Sequence, residues 1–184
     1  MIPWIITAVI VVFIILFVVA IYNSLIRLRN QVDNAWSQID VQLKRRHDLI
    51  PNLVETAKGY MKHERETFET ITEARSKAMG AKNVSEASQA EGQLSDALGN
   101  FLLVVENYPD LKANQNFLAL QEELTGTENK IAFARQSYND QVLFCNNKIQ
   151  MFPSNIIANS FGFGKRDFFE VKTAAERQTP EVSF

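Results

Sequence analysis

The sequence predicts an all-α protein: an N-terminal transmembrane helix followed by a long antiparallel helical bundle of about four helices, coiled-coil-like in its packing. Three observations carry this. An unbroken apolar run fills Ile2 to Ile21. Beyond it, apolar residues recur at spacings of three and four, the period of one helix face. No stretch alternates at period two between turn signals, so no strand is expected. The 184 residues suit one domain with an appendage. They divide into a membrane anchor (1–23), a helical bundle (24–160), and an aromatic C-terminal segment with a polar tail expected to be disordered (161–184).

All charged side chains lie from Arg27 onward. The run IPWIITAVIVVFIILFVVAI supplies the ~20 apolar residues, at ~1.5 Å rise each, that a ~30 Å hydrocarbon core requires. It lacks the basic leading region, shorter apolar stretch and small-residue cleavage site of a signal peptide. Trp4 and Tyr22 stand at its ends, where amphipathic rings favour the headgroup level, and Arg27 and Arg29 follow directly. The positive-inside rule then places the N-terminus outside and the helical domain in the cytoplasm, with a periplasmic domain as the alternative. The single cysteine, Cys145, agrees with a reducing compartment.

Leu25, Leu28, Val32, Ala35, Ile39 and Leu43 form the first helical stripe. No Gly or Pro separates it from Ile21, which predicts one continuous rod. Pro51 removes an amide donor and disfavours αR at Ile50, so a kink or a fresh start is expected near Asp48 to Pro51. The second stripe is Val54, Ala57, Met61, Phe68, Ile71 and Ala78, weakened by Glu64 and Arg75 and fading at Gly80 to Asn83. Asn83 and Glu86 resemble a capping pair. They open a third helix through Ala87, Ala90, Leu94, Leu98, Phe101, Leu102 and Val105, closed by Tyr108-Pro109. The fourth helix runs from Phe117 to Phe152 as a seam of about five heptads that stops at Pro153, with Gly126 its weak point. Gly162 and Gly164 then break any helix among Phe161, Phe163, Phe168 and Phe169.

Composition and motifs exclude more than they assign. A formal charge of −2 with pI about 5.8 lacks the footprint of a nucleic-acid binder. His63-Glu64-Arg65-Glu66-Thr67 has Thr67 where a second zinc ligand would stand. Neither His47 nor His63 sits in a Glu-x-x-His pair of the di-iron kind. Gly162-Phe163-Gly164-Lys165 lacks the spacing of a phosphate loop, and Cys145 falls on an apolar seam as a small hydrophobe rather than a nucleophile. Lys44-Arg45-Arg46-His47 reads as a solvated charged face, ~30 Å beyond the span in an upright rod and so outside a ~8 Å Debye length of the lipid. No catalytic residue, cofactor or metal is expected.

Four stretches carry a resemblance to a known family: AWSQIDVQLKRRHDLIPNLVETAKGY (Ala35 to Tyr60), HERETFETITEAR (His63 to Arg75), YPDLKANQNFLALQEELTGTENKIAFARQSYNDQV (Tyr108 to Val142) and FPSNIIANSFGF (Phe152 to Phe163). The chain resembles the LemA family over nearly its whole length, apart from Lys82 to Gln93 and the polar tail. The resemblance implies a membrane anchor, a long-helix bundle and a short extracytoplasmic N-terminus. It supplies no catalytic residues, and it points to membrane-associated assembly or scaffold proteins.

The expected function is therefore that of a single-pass, non-enzymatic helical protein that self-assembles as a scaffold at the bacterial inner membrane. Its expected partners are the lipid bilayer and further copies of itself. The alternative is an adaptor presenting a helical face to a membrane partner such as a protease or envelope-stress component. Trp36, Phe161 and Phe163 are the expected assembly contacts; the alternatives for the aromatic segment are that Ile156, Ile157, Phe161 and Phe163 cap the open end of the bundle or dip into the membrane surface.

Overall fold

A computed structural model describes residues 2–170. Among these, every regular element is a helix: α1 (Ile2–Lys58), α2 (Arg65–Met79), α3 (Val84–Val105), α4 (Pro109–Lys112), α5 (Gln115–Gln150) and α6 (Ser154–Ser160). The polar tail from Lys172 lies outside the described residues. Two compact units share the long helices α1 and α5. Unit 1 comprises Met1–Gln38 with Gln136–Asp167, and unit 2 comprises Ile39–Arg135 with the chain from Phe168 onward.

In unit 1, α1 begins with the apolar run. Its side chains from Pro3 to Ala20 stand exposed apart from the half-buried Val18. Exposed apolar surface costs about 25 cal/mol per Å² in water, and a bilayer removes that cost. Among the described residues, α1 alone is long and apolar enough to cross a membrane. The continuous rod expected from the missing Gly and Pro is present: the helix passes from the span to Leu25, Val32 and Ala35, all buried. Tyr138, Val142, Cys145 and Ile149 of α5 are buried in the same unit. Trp36 meets Tyr138 edge-on at 5.7 Å, while Tyr22 meets Phe161 and Phe163, which follow α5 in the chain. Ascending residues of α1 thus face descending residues of the C-terminal segment, an antiparallel arrangement.

Unit 2 is built around Ile50, Leu53, Met61, Ile71, Leu94, Phe101, Leu111 and Phe117, all nearly inaccessible. α2 and α3 form a hairpin, and Asn83 caps α3 by accepting the Glu86 amide at 2.8 Å. The Glu86 carboxylate reaches back to the Lys82 amide at 2.9 Å, close to the capping pair expected from the sequence. The second stripe is divided between two helices, because α1 ends at Lys58 before Gly59 and α2 starts only at Arg65.

The fresh start expected at Pro51 does not occur; α1 runs through it. Without an N–H, Pro51 leaves the carbonyl of His47, four residues earlier, without its helical donor. Arg75 of α2 supplies a substitute: its Nε donates to the His47 carbonyl at 2.6 Å. Pro51 itself points to solvent, while Ile50, Leu53 and Val54 around it are buried. Packing on both sides of the proline and a replacement donor hold the helix together. Arg75, which weakened the second stripe as a sequence pattern, stands where the proline needs it.

Candidate functional site

Two places gather chemistry, one in each unit. In unit 2, Arg46 is 1 % exposed and Glu91 of α3 is 3 % exposed. The Arg46 guanidinium forms a short ion pair with Glu91 Oε2 and a second pair with Glu128 of α5 at 2.6 Å. It also donates to Ser95 Oγ at 3.0 Å. His47 Nε2 lies 2.8 Å from the other Glu91 oxygen. The solvated face expected for Lys44 to His47 is thereby corrected: Lys44 and Arg45 are exposed, whereas Arg46 and His47 are buried. The reason is helical phase. Ile39, Leu43, Arg46, Ile50 and Leu53 continue one stripe at steps of four, three, four and three, and Arg46 falls on it.

Burial works against the ionised form of Glu91, yet the hydrogen bond from His47 and the charge of Arg46 outweigh it and hold the carboxyl below its ordinary range. Both Glu91 oxygens are engaged within the cluster. The arrangement therefore ties α1, α3 and α5 of this unit together and presents no free nucleophile or base. The sequence signal for it was available, since Glu91 occupies the inner stripe of α3 between Ala87 and Leu94. Among the described residues no group of three or more His, Cys, Asp or Glu is arranged to hold a metal ion.

The second place is the end of unit 1 next to the span. α6 closes with a Schellman turn: Phe163 N donates to Ala158 O at 2.9 Å and Gly162 N to Asn159 O at 3.4 Å. Gly162 takes φ +70°, a left-handed conformation that glycine adopts without a Cβ clash. The turn brings Phe161 within 5.0 Å and Phe163 within 5.7 Å of the Tyr22 ring. Arg29 lies over the Phe163 ring at 5.6 Å, a cation–π distance. Beyond the turn, Asn146 grips the chain with both side-chain atoms, donating to Arg166 O and accepting from Arg166 N, each at 2.9 Å. Tyr138 donates to the Asp167 carbonyl at 2.9 Å, and Arg166 pairs with Asp33 at 3.1 Å. A recess of about 280 Å³ opens between Arg29, Cys145, Ile149 and the 161–166 loop. Sequence reasoning missed Asn146, whose burial beside Cys145 makes it a pin for the loop rather than a polar surface residue.

The residues singled out from the sequence are placed as follows. Trp4 is exposed near the start of the span, Tyr22 is half-buried at its end, and Arg27 and Arg29 are exposed just beyond. Trp36 is half-buried against Tyr138; Phe163 is half-buried and Phe161 exposed, both against Tyr22. Tyr22, Arg29, Phe161 and Phe163 come together, while Trp36 belongs to a separate aromatic contact. Burial raises the Tyr138 phenol to about 12 and pushes the Cys145 thiol up, against a thiolate nucleophile at that position.

Comparison with known proteins agrees with this architecture. A model of the LemA family matches residues 35–184. Protein LemA of Metamycoplasma hominis is 33 % identical over 138 residues, covering 74 % of this chain and 63 % of that protein, so the match spans under two-thirds of the relative. Magnetosome protein MamQ 2 of Paramagnetospirillum magneticum is 23 % identical over 188 residues, covering 88 % of this chain and 68 % of its own. Magnetosome protein MamQ of Magnetospirillum gryphiswaldense is 22 % identical over 189 residues, covering 88 % and 70 %. These relatives and the apolar N-terminal helix fit a membrane-anchored helical protein.

Proposed function

The chain belongs to the LemA family, and from that premise we propose that it is a single-pass, non-enzymatic protein whose helical units self-assemble as a scaffold at the bacterial inner membrane. One observation carries the reading: the ionisable groups buried in unit 2 are consumed by one another, while large apolar side chains stand in the open. Beyond the span, Leu103, Leu118 and Phe133 of unit 2 are 70, 48 and 76 % exposed. Such side chains lose unfavourable hydration when a second surface covers them. Of the three expected contacts, Phe161 presents the most surface; Trp36 and Phe163, partly covered by their own chain, shape the contact from behind. Arg27 and Arg29 orient the span with the N-terminus outside and the helical units in the cytoplasm.

Particle mass and shape of the full-length protein in mild detergent test the assembly. Discrete multimeric particles that shrink in a Phe161→Ser, Phe163→Ser double variant or in Phe133→Ser are expected. Monomers at every concentration would overturn the scaffold reading in favour of an adaptor for another membrane protein. Protease added outside sealed inner-membrane vesicles of right-side-out orientation is expected to leave the helical units intact.

A further inference from the structure

The end of unit 1 beside the span combines two features. The first is a cluster of exposed apolar side chains: Met151 and Phe152 at the end of α5 are 62 and 79 % exposed, and Ile156 of α6 is 55 % exposed. The second is a set of cations: the exposed Arg29 and Lys165 and the half-buried Arg166, whose charge is shared with Asp33, line the recess at the same loop, and the half-buried Lys148 precedes Ile149 of that recess. Asp167 is the other carboxylate next to this loop. Their height above the membrane is set by one contact. Phe161 touches Tyr22, the first residue after the apolar run, at 5.0 Å between ring centroids. The α6 end of the unit therefore lies at the boundary where the hydrocarbon gives way to headgroups. Arg29 is seven residues further along α1, about 10 Å at 1.5 Å per residue. The headgroup layer is roughly 5–7 Å thick on each side, so a long guanidinium side chain spans the difference.

We infer that this end of unit 1 rests on an anionic phospholipid surface around its own span. Met151, Phe152 and Ile156 enter the headgroup boundary, and Arg29, Lys148 and Lys165 meet lipid phosphates, while Arg166 stays with Asp33. An apolar edge flanked by basic residues is the composition that lies in a membrane interface, and anionic lipid strengthens its hold. Lysine and arginine stems cover apolar surface while their heads reach outward, which suits both halves of the arrangement. The inference rests on the membrane-anchored reading and extends it from one helix to a second point of contact.

The test uses the full-length protein with Cys145→Ala, carrying one environment-sensitive fluorophore at Phe152→Cys or, further along α1 in the same unit, at the exposed Asn34→Cys. Both are reconstituted into vesicles of phosphatidylcholine alone or mixed with phosphatidylglycerol, with doxyl-labelled lipid as quencher. The expected result is blue-shifted, doxyl-quenched emission at 152 and neither effect at 34, about 18 Å along α1 from Tyr22. Phosphatidylglycerol should deepen the quenching at 152, Arg29→Gln with Lys165→Gln should cancel that gain, and Lys44→Gln should leave it intact. Inorganic phosphate at matched ionic strength should change nothing. Aqueous, unquenched emission at 152 in protein that floats with the vesicles overturns the inference. So does shielded emission without doxyl quenching, which assigns the surface to a second copy. Quenching at 152 that ignores phosphatidylglycerol and the paired glutamine substitutions overturns the phosphate contacts. Displacement by inorganic phosphate makes the recess a free-anion site instead. Failure to float with vesicles overturns the anchor itself, an outcome distinct from failure of the second contact.

Discussion

Arg75 and Pro51 should behave as a coupled pair. The His47 carbonyl sits next to a 6 % exposed side chain and takes its hydrogen bond from Arg75 Nε at 2.6 Å because Pro51 has no N–H to give. A hydrogen bond from a charged donor contributes about 1.5–3 kcal/mol, and an orphaned buried acceptor costs about 1–3 kcal/mol. Arg75 is half-buried, so Arg75→Ala is expected to cost about 2 kcal/mol. In a Pro51→Ala background the new alanine amide donates to the same carbonyl, and the loss should fall below about 1 kcal/mol. The assay is thermal unfolding of the four full-length proteins in one mild detergent, followed by far-UV circular dichroism. At roughly 2–4 °C per kcal/mol for a chain of this size, the single Arg75→Ala change should lower Tm by about 4–8 °C. The double-mutant cycle should return a coupling of about 1 kcal/mol or more. Equal losses in both backgrounds would refute the account of how α1 passes its proline.

Further outcomes follow from the same geometry. Glu91→Leu leaves Arg46 buried with Glu128, Ser95 and the residue 91 carbonyl but without its closest carboxylate, and should cost about 3–5 kcal/mol in denaturant unfolding, whereas adding Arg46→Met should recover most of it. Because the Glu91 carboxyl is held below its ordinary range, its contribution is full above the unfolded value of about 4.3 and fades as pH falls through the lower folded value. Melting of a Glu91→Gln variant should lack that acid step. Tyr138 shows the opposite sign: with its phenol raised to about 12, its stabilisation is full below about 10 and is lost on the way to 12. Spectrophotometric titration should find Tyr138 ionising late, beside Tyr108, whose phenol its hydrogen bond to Glu64 also raises, and Tyr138→Phe should remove one of these late steps. Gly126→Ala in α5 places its Cβ where nothing lies within 4 Å and should stabilise the protein by about 1 kcal/mol, read as a raised Tm. Cys145 should react with a disulfide reagent at the rate of unfolding rather than at the rate of an exposed thiol, given its burial and raised thiol.

The sequence by itself determined what depends on neighbours a few residues away. The apolar run of α1, the buried seam from Phe117 to Ile149, the Asn83 cap, and the helix ends near Tyr108 and Pro153 are all local patterns of period, capping and missing donors. Each of these appears in the structure, and Gly162 ends α6 for the conformational reason that made it a breaker. Phe152, the last position of the seam, is 79 % exposed because α5 has already ended at Gln150. Tertiary structure alone decided the fate of the interruptions. Pro51 reads as a break until a guanidinium 28 residues beyond His47 in sequence reaches the carbonyl the proline leaves open. Arg46 reads as part of a solvated charged face and Glu91 drew no reading, and only their meeting from two helices pairs the two buried charges. A stripe records which face turns inward, but whether a charge on that face has a partner depends on a residue dozens of positions distant, and a local pattern does not encode that distance.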